Sequence, residues 1–455
     1  MSGEQRLVLV IAILASFVSF LDGTLVNVAL PAISAELGGG IATQQWVVDA
    51  YLITLGALIL VAGSLSDLFG RLRILRVGLL GFGVASVLVA VSPTPEVLII
   101  ARALQGVAGA LLVPSSLALI TSNFRDAAQG RAIGAWTAWT SAAIIAGPII
   151  GGLFVDLLSW RAAFLVNVVP IVLTLILMSR LQQGDQRRPD VRIDFAGSVL
   201  AVVGLGGVVF ALIEQGNLGW GHPMIWGPMA VGALALAGFL WRQATAEAPL
   251  MPLDLWRARN FWAGNIATFL IYGALALSGF VLVVFLQQHA GYSATAAGVA
   301  LVPSTVVMMF FSTTVGRLSG RFGPRIFMTI GPIVAAGGFL WMLLTTEPVN
   351  YWLQILPGVI LFGIGLTLTV SPLTSAILGA IDTSRSGIAS AVNNAVARVA
   401  GLVTIAMLGV FVGGQLDLAG FHRGIAVTAA LLIIGGIVSW FGIRNPVGGS
   451  SATGA

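Results

Sequence analysis

Long apolar runs, each ended by a short polar connection, repeat from one end of the chain to the other. The first, Leu7 to Leu30, holds a single charged residue, Asp22. About 20 apolar residues cross the hydrocarbon of a bilayer as a helix, and a helix satisfies its own backbone there. By that rule the pattern predicts an all-α polytopic membrane protein of about fourteen spans. Their approximate limits are 7–30, 45–63, 74–92, 97–120, 132–154, 160–179, 195–213, 224–241, 261–287, 295–315, 326–344, 352–373, 386–412 and 424–443. The first run is long, keeps Asp22 and lacks a small-residue cleavage site, so it reads as a retained span rather than a signal peptide.

The polar connections set orientation and organisation. Alternate loops carry the arginines: Arg71, Arg73 and Arg76; Arg125 and Arg131; Arg180, Arg187, Arg188 and Arg192; Arg242, Arg257 and Arg259; Arg317, Arg321 and Arg325; Arg385. The loops between them hold only Arg161 and Arg423. Basic loops stay cytoplasmic, and Arg6 and Arg444 place both termini there, as an even number of spans requires. Two polar breaks, Leu181 to Ile193 and Glu247 to Asn260, divide the spans six, two and six. The expected organisation is an N-terminal six-helix bundle at 1–180, linkers and a two-helix insert at 181–260, a C-terminal six-helix bundle at 261–444 and a disordered tail at 445–455. Gly63–Arg73, GSLSDLFGRLR, and Gly316–Arg325, GRLSGRFGPR, follow the second span of each half and read alike, as in a duplicated transporter.

Composition narrows the chemistry. The 455 residues are 58% hydrophobic and 9% charged. There is no cysteine, hence no disulfide and no thiolate metal site. All 22 basic residues are arginine; without lysine there is no phosphate-binding P-loop, and energy for transport must come from an ion gradient or a partner. The net charge of +5 is dispersed in loops on one side, which argues against nucleic acid. His222, His289 and His422 fall in short loops without metal-ligand spacing, so no cofactor or metal is expected.

The ionisable residues inside spans carry the functional expectation, because a charge at mid-membrane costs at least about 2.5 kcal/mol. Asp22, Asp49 and Arg102 come from three helices and fall at similar depths in the outer half, Asp22 about eight residues from its span end. A carboxyl placed between burial and an arginine can load and release protons; a static ion pair is the other reading. The loop residues Gly63, Asp67, Gly70, Arg71 and Arg73 form either a cytoplasmic gate latch, with Asp67 at a helix N-terminus or paired with an arginine across the interface, or an ordinary turn. Gly147, Pro148, Gly151 and Gly152, in AGPIIGG, make a bending or tightly packed helix seam. Asn27, Asp49, Tyr51, Trp136, Asn393, Asn394 and Arg398 are candidates for lining a substrate cavity; Asn394 and Arg398 share a helix face, and interhelical hydrogen bonding is the alternative for the Asn393–Arg398 group. Trp46 and Trp139 fit interface packing, and Glu214 and Asp156 fit span ends.

Together these stretches resemble the major facilitator superfamily, and within it the fourteen-span drug:proton antiporters. LDGTLVNVALP resembles the first-span motif, with Asp22 its acidic member. WVVDAYL resembles a second-span motif, placing Asp49 at an acidic position found in some multidrug members. GSLSDLFGRLR resembles the cytoplasmic loop motif, RALQG the fourth-span motif with Arg102 at the proton-transfer position, and AGPIIGG the antiporter motif. SWRAAFLVNVVP and SGIASAVNNAVARVAG are also similar to family stretches. Two departures stand out: Gly320 replaces Asp67 in the second loop copy, and the chain is short for the family. The resemblance implies two six-helix bundles about a pseudo-twofold axis, a central cavity exposed alternately to each side, and no cofactor beyond a proton gradient. It implies a monomeric, multi-pass protein of the cell (inner) membrane. It further implies export of small lipophilic compounds, cationic ones included, in exchange for protons. A dedicated exporter of one metabolite, self-made antibiotic, amino acid or lipid is the alternative, followed by a nutrient symporter. No nucleophile–base pair argues for an enzyme.

Overall fold

The computed structural model describes residues 2–181, 185, 187, 193–382, 385–413 and 416–445. The arginines at 188 and 192, most of the 181–193 linker and the tail at 446–455 lie outside the described residues. Among those described there is no strand.

The helices run in the order α1 Gly3–Leu37, α2 Gly40–Phe69, α3 Arg71–Ala90, α4 Pro95–Asn123, α5 Asp126–Leu157, α6 Trp160–Leu165, α7 Val168–Ser179, α8 Phe195–Leu218 and α9 Pro223–Thr245. After a short 3-10 turn at Leu253–Arg257 come α10 Arg259–Gln288, α11 Ala294–Val299, α12 Val302–Phe322 and α13 Pro324–Met342. A π turn at Tyr351–Ile355 opens α14 Leu356–Leu378, followed by α15 Ser386–Ala406, α16 Leu408–Val412 and α17 Leu418–Gly442. With α6–α7, α11–α12 and α15–α16 joining end to end, fourteen segments among the described residues are long and apolar enough to cross a membrane. The count matches the sequence pattern. The limits do not: α1 reaches Leu37 rather than residue 30, and α2 covers 40–69 rather than 45–63. Polar residues at a span end stop the hydropathy run and leave the hydrogen-bond ladder intact, so the helices extend past the hydrocarbon. Asp22 therefore lies deeper in its helix than eight residues from the end. His422 likewise belongs to α17, not to a loop.

Many large apolar side chains are exposed, among them Val84, Leu157, Val169, Leu234 and Phe310. On a water-soluble protein such a surface would be anomalous; on spanning helices it faces lipid. Buried positions are apolar too, with small residues and a set of polar side chains among them. Within the first half, Val8, Ile11, Ala15, Leu55, Leu79, Phe82 and Ala110 form one core.

Contacts divide the chain into two compact units. The first holds Met1–Pro252, Ala276–Val302 and Arg398–Gly424; the second holds Leu253–Leu275, Pro303–Ala397 and Ile425–Ala455. The α8–α9 insert belongs to the first unit, where Ile53 and Ala57 of α2 pack with Ala201, Leu205 and Val209 of α8. Asp194 ties the insert's two helices. It caps α8 by accepting from Gly197 N at 2.9 Å, and it accepts from Arg242 Nε at 2.5 Å. Burial pushes the Asp194 carboxyl up, but the Gly197 and Arg242 bonds outweigh it and hold it below the usual range. In the second unit Asp254 pairs with Arg385 at 2.5 and 2.9 Å, and that bond holds the Asp254 carboxyl low.

Candidate functional site: a buried charge cluster

In the first unit, α1, α2, α3 and α4 and the α6–α7 junction bring polar side chains to one buried point. Asp22 and Arg102 are both fully buried. Asp22 Oδ2 accepts from Arg102 Nη1 at 2.7 Å. Its Oδ1 accepts from Gln105 Nε2 at 3.0 Å and from Asn167 Nδ2 at 2.9 Å. Arg102 also donates Nη1 to Gln105 Oε1 at 2.6 Å and Nε to the Val47 carbonyl at 3.0 Å. Gln105 Nε2 donates in turn to Ser86 Oγ at 3.0 Å. The guanidinium lies over the Tyr51 ring, 4.5 Å from its centroid, and 5.6 Å from that of Phe164. The Tyr51 and Ser19 hydroxyls are 3.2 Å apart.

Local sequence explains how these groups meet. Arg102 and Gln105 are three residues apart and share one face of α4. Gly106 lets α4 approach α2: a Cβ there would stand 2.3 Å from the Tyr51 carbonyl oxygen. That approach puts Arg102 within reach of Val47. Asn167 sits between α6 and α7, where the regular helix is interrupted. A buried ion pair repays its desolvation only when its remaining polar atoms are also bonded. Here the carboxylate is saturated, while Arg102 Nη2 and Asn167 Oδ1 have no partner among the described residues.

Asp49, expected at a similar depth, shares no hydrogen bond with this cluster. It too is fully buried, and neither carboxyl oxygen has a hydrogen-bond partner among the described residues. The reason is helical phase. Val47, Tyr51 and Thr54 meet α4, the last by donating to the Ala103 carbonyl at 2.8 Å. At 3.6 residues per turn, Gln45, Asp49 and Gly56 lie on a stripe roughly 180° away. That stripe faces α15: Gln45 Nε2 donates to the carbonyls of Ile405 at 2.6 Å and Ala406 at 3.0 Å, and a Cβ on Gly56 would lie 3.5 Å from Arg398 Cβ. That Asp49 lies inside a span was legible in the sequence; its facing was not.

In the loop motif Asp67 takes an arginine partner within the same motif rather than a helix N-terminus. Asp67 pairs with Arg71 one turn later, at 3.0 Å, and Arg71 Nη1 also donates to the Ala118 carbonyl at 3.2 Å. The α3 N-terminus is capped by Asp185, not Asp67: Leu72 N and Arg73 N donate to its two carboxylate oxygens at 3.1 and 2.9 Å. Gly70, at φ 105°, takes a backbone conformation that a side chain would strain, and a Cβ there would strike the Asp185 carboxylate. Gly63 has open space around it and Arg73 is exposed. In the second loop copy Asn445 takes the capping place, accepting from Arg325 N at 3.1 Å.

The AGPIIGG stretch packs as a seam. Cβ atoms on Gly147 and Gly151 would meet Thr24 and Leu25 of α1; one on Gly152 would meet Thr295 Cα at 2.5 Å; and Gly298 approaches the Pro148 carbonyl. Asp156, at the end of the same helix, accepts from Ala294 N and Thr295 N, both at 2.9 Å. Among the cavity candidates, Trp136 donates to Ser16 Oγ at 2.9 Å, and Asn27 is half-buried against Gly279. Asn393 donates to Asn265 and Thr268 at 3.1 and 2.8 Å, the interhelical bonding that was its alternative reading. Asn394 and Arg398 are half-buried. Glu214 accepts from Trp46 Nε1 at 2.7 Å. Sequence reasoning missed Gln105, Asn167, Ser86 and Asp185. For the first two a signal existed, since each is a polar residue inside a stretch already singled out.

The sequence model of the Major Facilitator Superfamily matches residues 12–405. The chain belongs to the major facilitator superfamily. Among relatives of this major facilitator, a puromycin resistance protein of Streptomyces alboniger is 34% identical, over 88% of this chain and 80% of its own. A methylenomycin A resistance protein of Bacillus subtilis is 33% identical, over 89% and 87%. A tetracenomycin C resistance and export protein of Streptomyces glaucescens is 32% identical, over 87% and 73%. In fold, the crystal structure of a peptide transporter in complex with sulfate superposes with a TM-score of 0.71 at 14% identity, covering 95% of this chain and 93% of that one. The protein is a multi-pass membrane transporter, not an enzyme. Among the described residues no group of acidic or histidine side chains has metal-binding spacing.

Proposed function

We propose that this major facilitator is a proton-coupled exporter of hydrophobic compounds that works by alternating access. The six-helix sets at 1–180 and 261–444 rock against each other, with the insert helices α8 and α9 travelling with the first. Export is supported by the resistance and export roles in the relatives' names. The observation that carries proton coupling is the pair of buried carboxyls in opposite circumstances. Asp22 is held by three donors, one of them a guanidinium, whereas Asp49 has none. In this reading Asp49 carries a proton in the present conformation, because a bare charge is not tolerated there. Asp22 passes to the protonated form when Arg102 moves away, and Arg102 biases the exchange. Gly63, Asp67, Gly70, Arg71 and Arg73 brace the cytoplasmic gate, and Gly147, Pro148, Gly151 and Gly152 form the seam on which the halves slide. The arginine-rich loops support cytoplasmic termini in the cell membrane, and the working unit is a monomer.

Everted vesicles that report lumenal pH test this. Adding hydrophobic antibiotics releases protons from wild-type vesicles, and Asp22→Asn and Asp49→Asn each abolish the release at normal expression. Compound transport with no pH change, unaltered in both variants, excludes proton coupling. A second reading, a dedicated exporter of one compound, is favoured by relatives that are each named for a single antibiotic. Proton release by one member of a broad panel selects it.

A further inference from the structure

Beyond the charge cluster, the first unit carries a guanidinium deep inside a span that forms no ion pair among the described residues. Arg398 lies near the middle of the span Ser386–Val412. Elsewhere in this unit Arg102 is answered by Asp22, Arg161 by Glu36 and Arg242 by Asp194. No carboxylate among the described residues forms an ion pair with Arg398, and its buried Nε has no hydrogen-bond partner. What holds it is apolar. The guanidinium lies 5.9 Å from the Phe20 ring centroid, and Gly56 of α2 approaches its Cβ. A cation–π contact positions the planar group without using its N–H donors.

Two facts separate this group from Asp49, the carboxyl without hydrogen-bond partners. Arg398 is only half-buried, whereas Asp49 is sealed at 0% exposure. And an arginine stays charged at any working pH, so it cannot escape its position by neutralising, as a carboxyl can. An uncompensated, reachable guanidinium at mid-membrane is costly to keep. The cost is offset when a ligand supplies the missing acceptor. A planar fork of donors matches a carboxylate, which can take two of them at once.

We propose that Arg398 selects substrates bearing an anionic oxygen acceptor, a carboxylate or phenolate, on a hydrophobic body. The inference rests on the export reading above and names its substrate class. It replaces the lipophilic cation implied by resemblance, which a bare guanidinium would repel. It also suits export, since an anion leaving a cell moves down an inside-negative potential.

The test uses one ring system in three charge states: 4-(1-pyrenyl)butanoate, its methyl ester, and 4-(1-pyrenyl)butyltrimethylammonium. Uptake of each into respiring everted vesicles is followed by pyrene fluorescence for wild type, Arg398→Lys and Arg398→Gln, with folding checked by size exclusion of each purified variant. Wild type takes up the carboxylate at least about tenfold faster than the cation, as the loss of a charge-assisted hydrogen bond implies. Arg398→Gln removes that preference and leaves ester uptake within about twofold, and Arg398→Lys retains part of it. Equal handling of the three probes by wild type, or an equal loss of all three in Arg398→Gln, overturns the selectivity and leaves the exporter reading standing. A folded wild type that moves none of them overturns the exporter reading, and the selectivity with it.

Discussion

Asp22 and Asp49 are both carboxyls fully buried in the same unit, on neighbouring helices, and their surroundings have nothing else in common. Asp22 meets an arginine, a glutamine and an asparagine, and every oxygen is bonded. Asp49 has no hydrogen-bond partner among the described residues, and it lies on the stripe of α2 whose Gln45 and Gly56 meet Ile405 and Arg398 in antiparallel register. Charge and burial alike therefore do not make residues alike. The donor set decides whether a buried carboxyl is held by partners or left without one.

The largest effect expected from breaking this contrast is at Arg102. Arg102→Met strands the Asp22 carboxylate and costs about 3–5 kcal/mol, read as a drop in melting temperature of the purified protein. The double variant Asp22→Asn, Arg102→Met recovers most of that loss, because no uncompensated charge remains. Next comes Asp22→Asn alone, which keeps the shape of the cluster but weakens charge-assisted bonds, at about 1–3 kcal/mol. Asp49→Asn is the sharpest contrast. It breaks no bond, so melting stays within about 0.5 kcal/mol of wild type while coupled proton release disappears. Asp49→Leu, of similar volume, is neutral or stabilising.

A smaller test concerns pH. Asp194 and Asp254 have carboxyls held below the usual range. A depressed folded-state value contributes stability that is present above the unfolded value, near 3.9, and lost only as pH falls through the folded one. Both contributions are therefore constant between pH 5 and 8. A melting curve that slopes with pH across that window in wild type, and flattens in Asp49→Asn, assigns the slope to Asp49. An equal slope in both removes Asp49 as its source. Smallest of all is Asp254→Asn, an exposed pair partner, with no measurable change in melting at pH 7.

Much of this was written in the chain. Fourteen apolar runs, each long enough to cross hydrocarbon, admit one kind of backbone. Asp22 and Arg102 stand out because ionisable residues inside apolar runs are costly. Gln105 and Asn167 escaped notice because a neutral amide in such a run is a weak signal. Asp185 escaped because it lies far along the chain from the α3 N-terminus that it caps, and sequence distance carries no information about that meeting.

The apolar periodicity and the polar exceptions thus determined, by themselves, that this is a polytopic helical membrane protein and which few charges it buries. Hydrophobicity is a property of each residue and can be read one residue at a time. Only the tertiary structure decided which charges meet. Helical phase fixes that Asp49 and Tyr51 point to opposite sides of α2, but which side finds α4 and which finds α15 depends on close approaches such as Gly106 against Tyr51. Those approaches belong to pairs of helices, and no single stretch of sequence contains them.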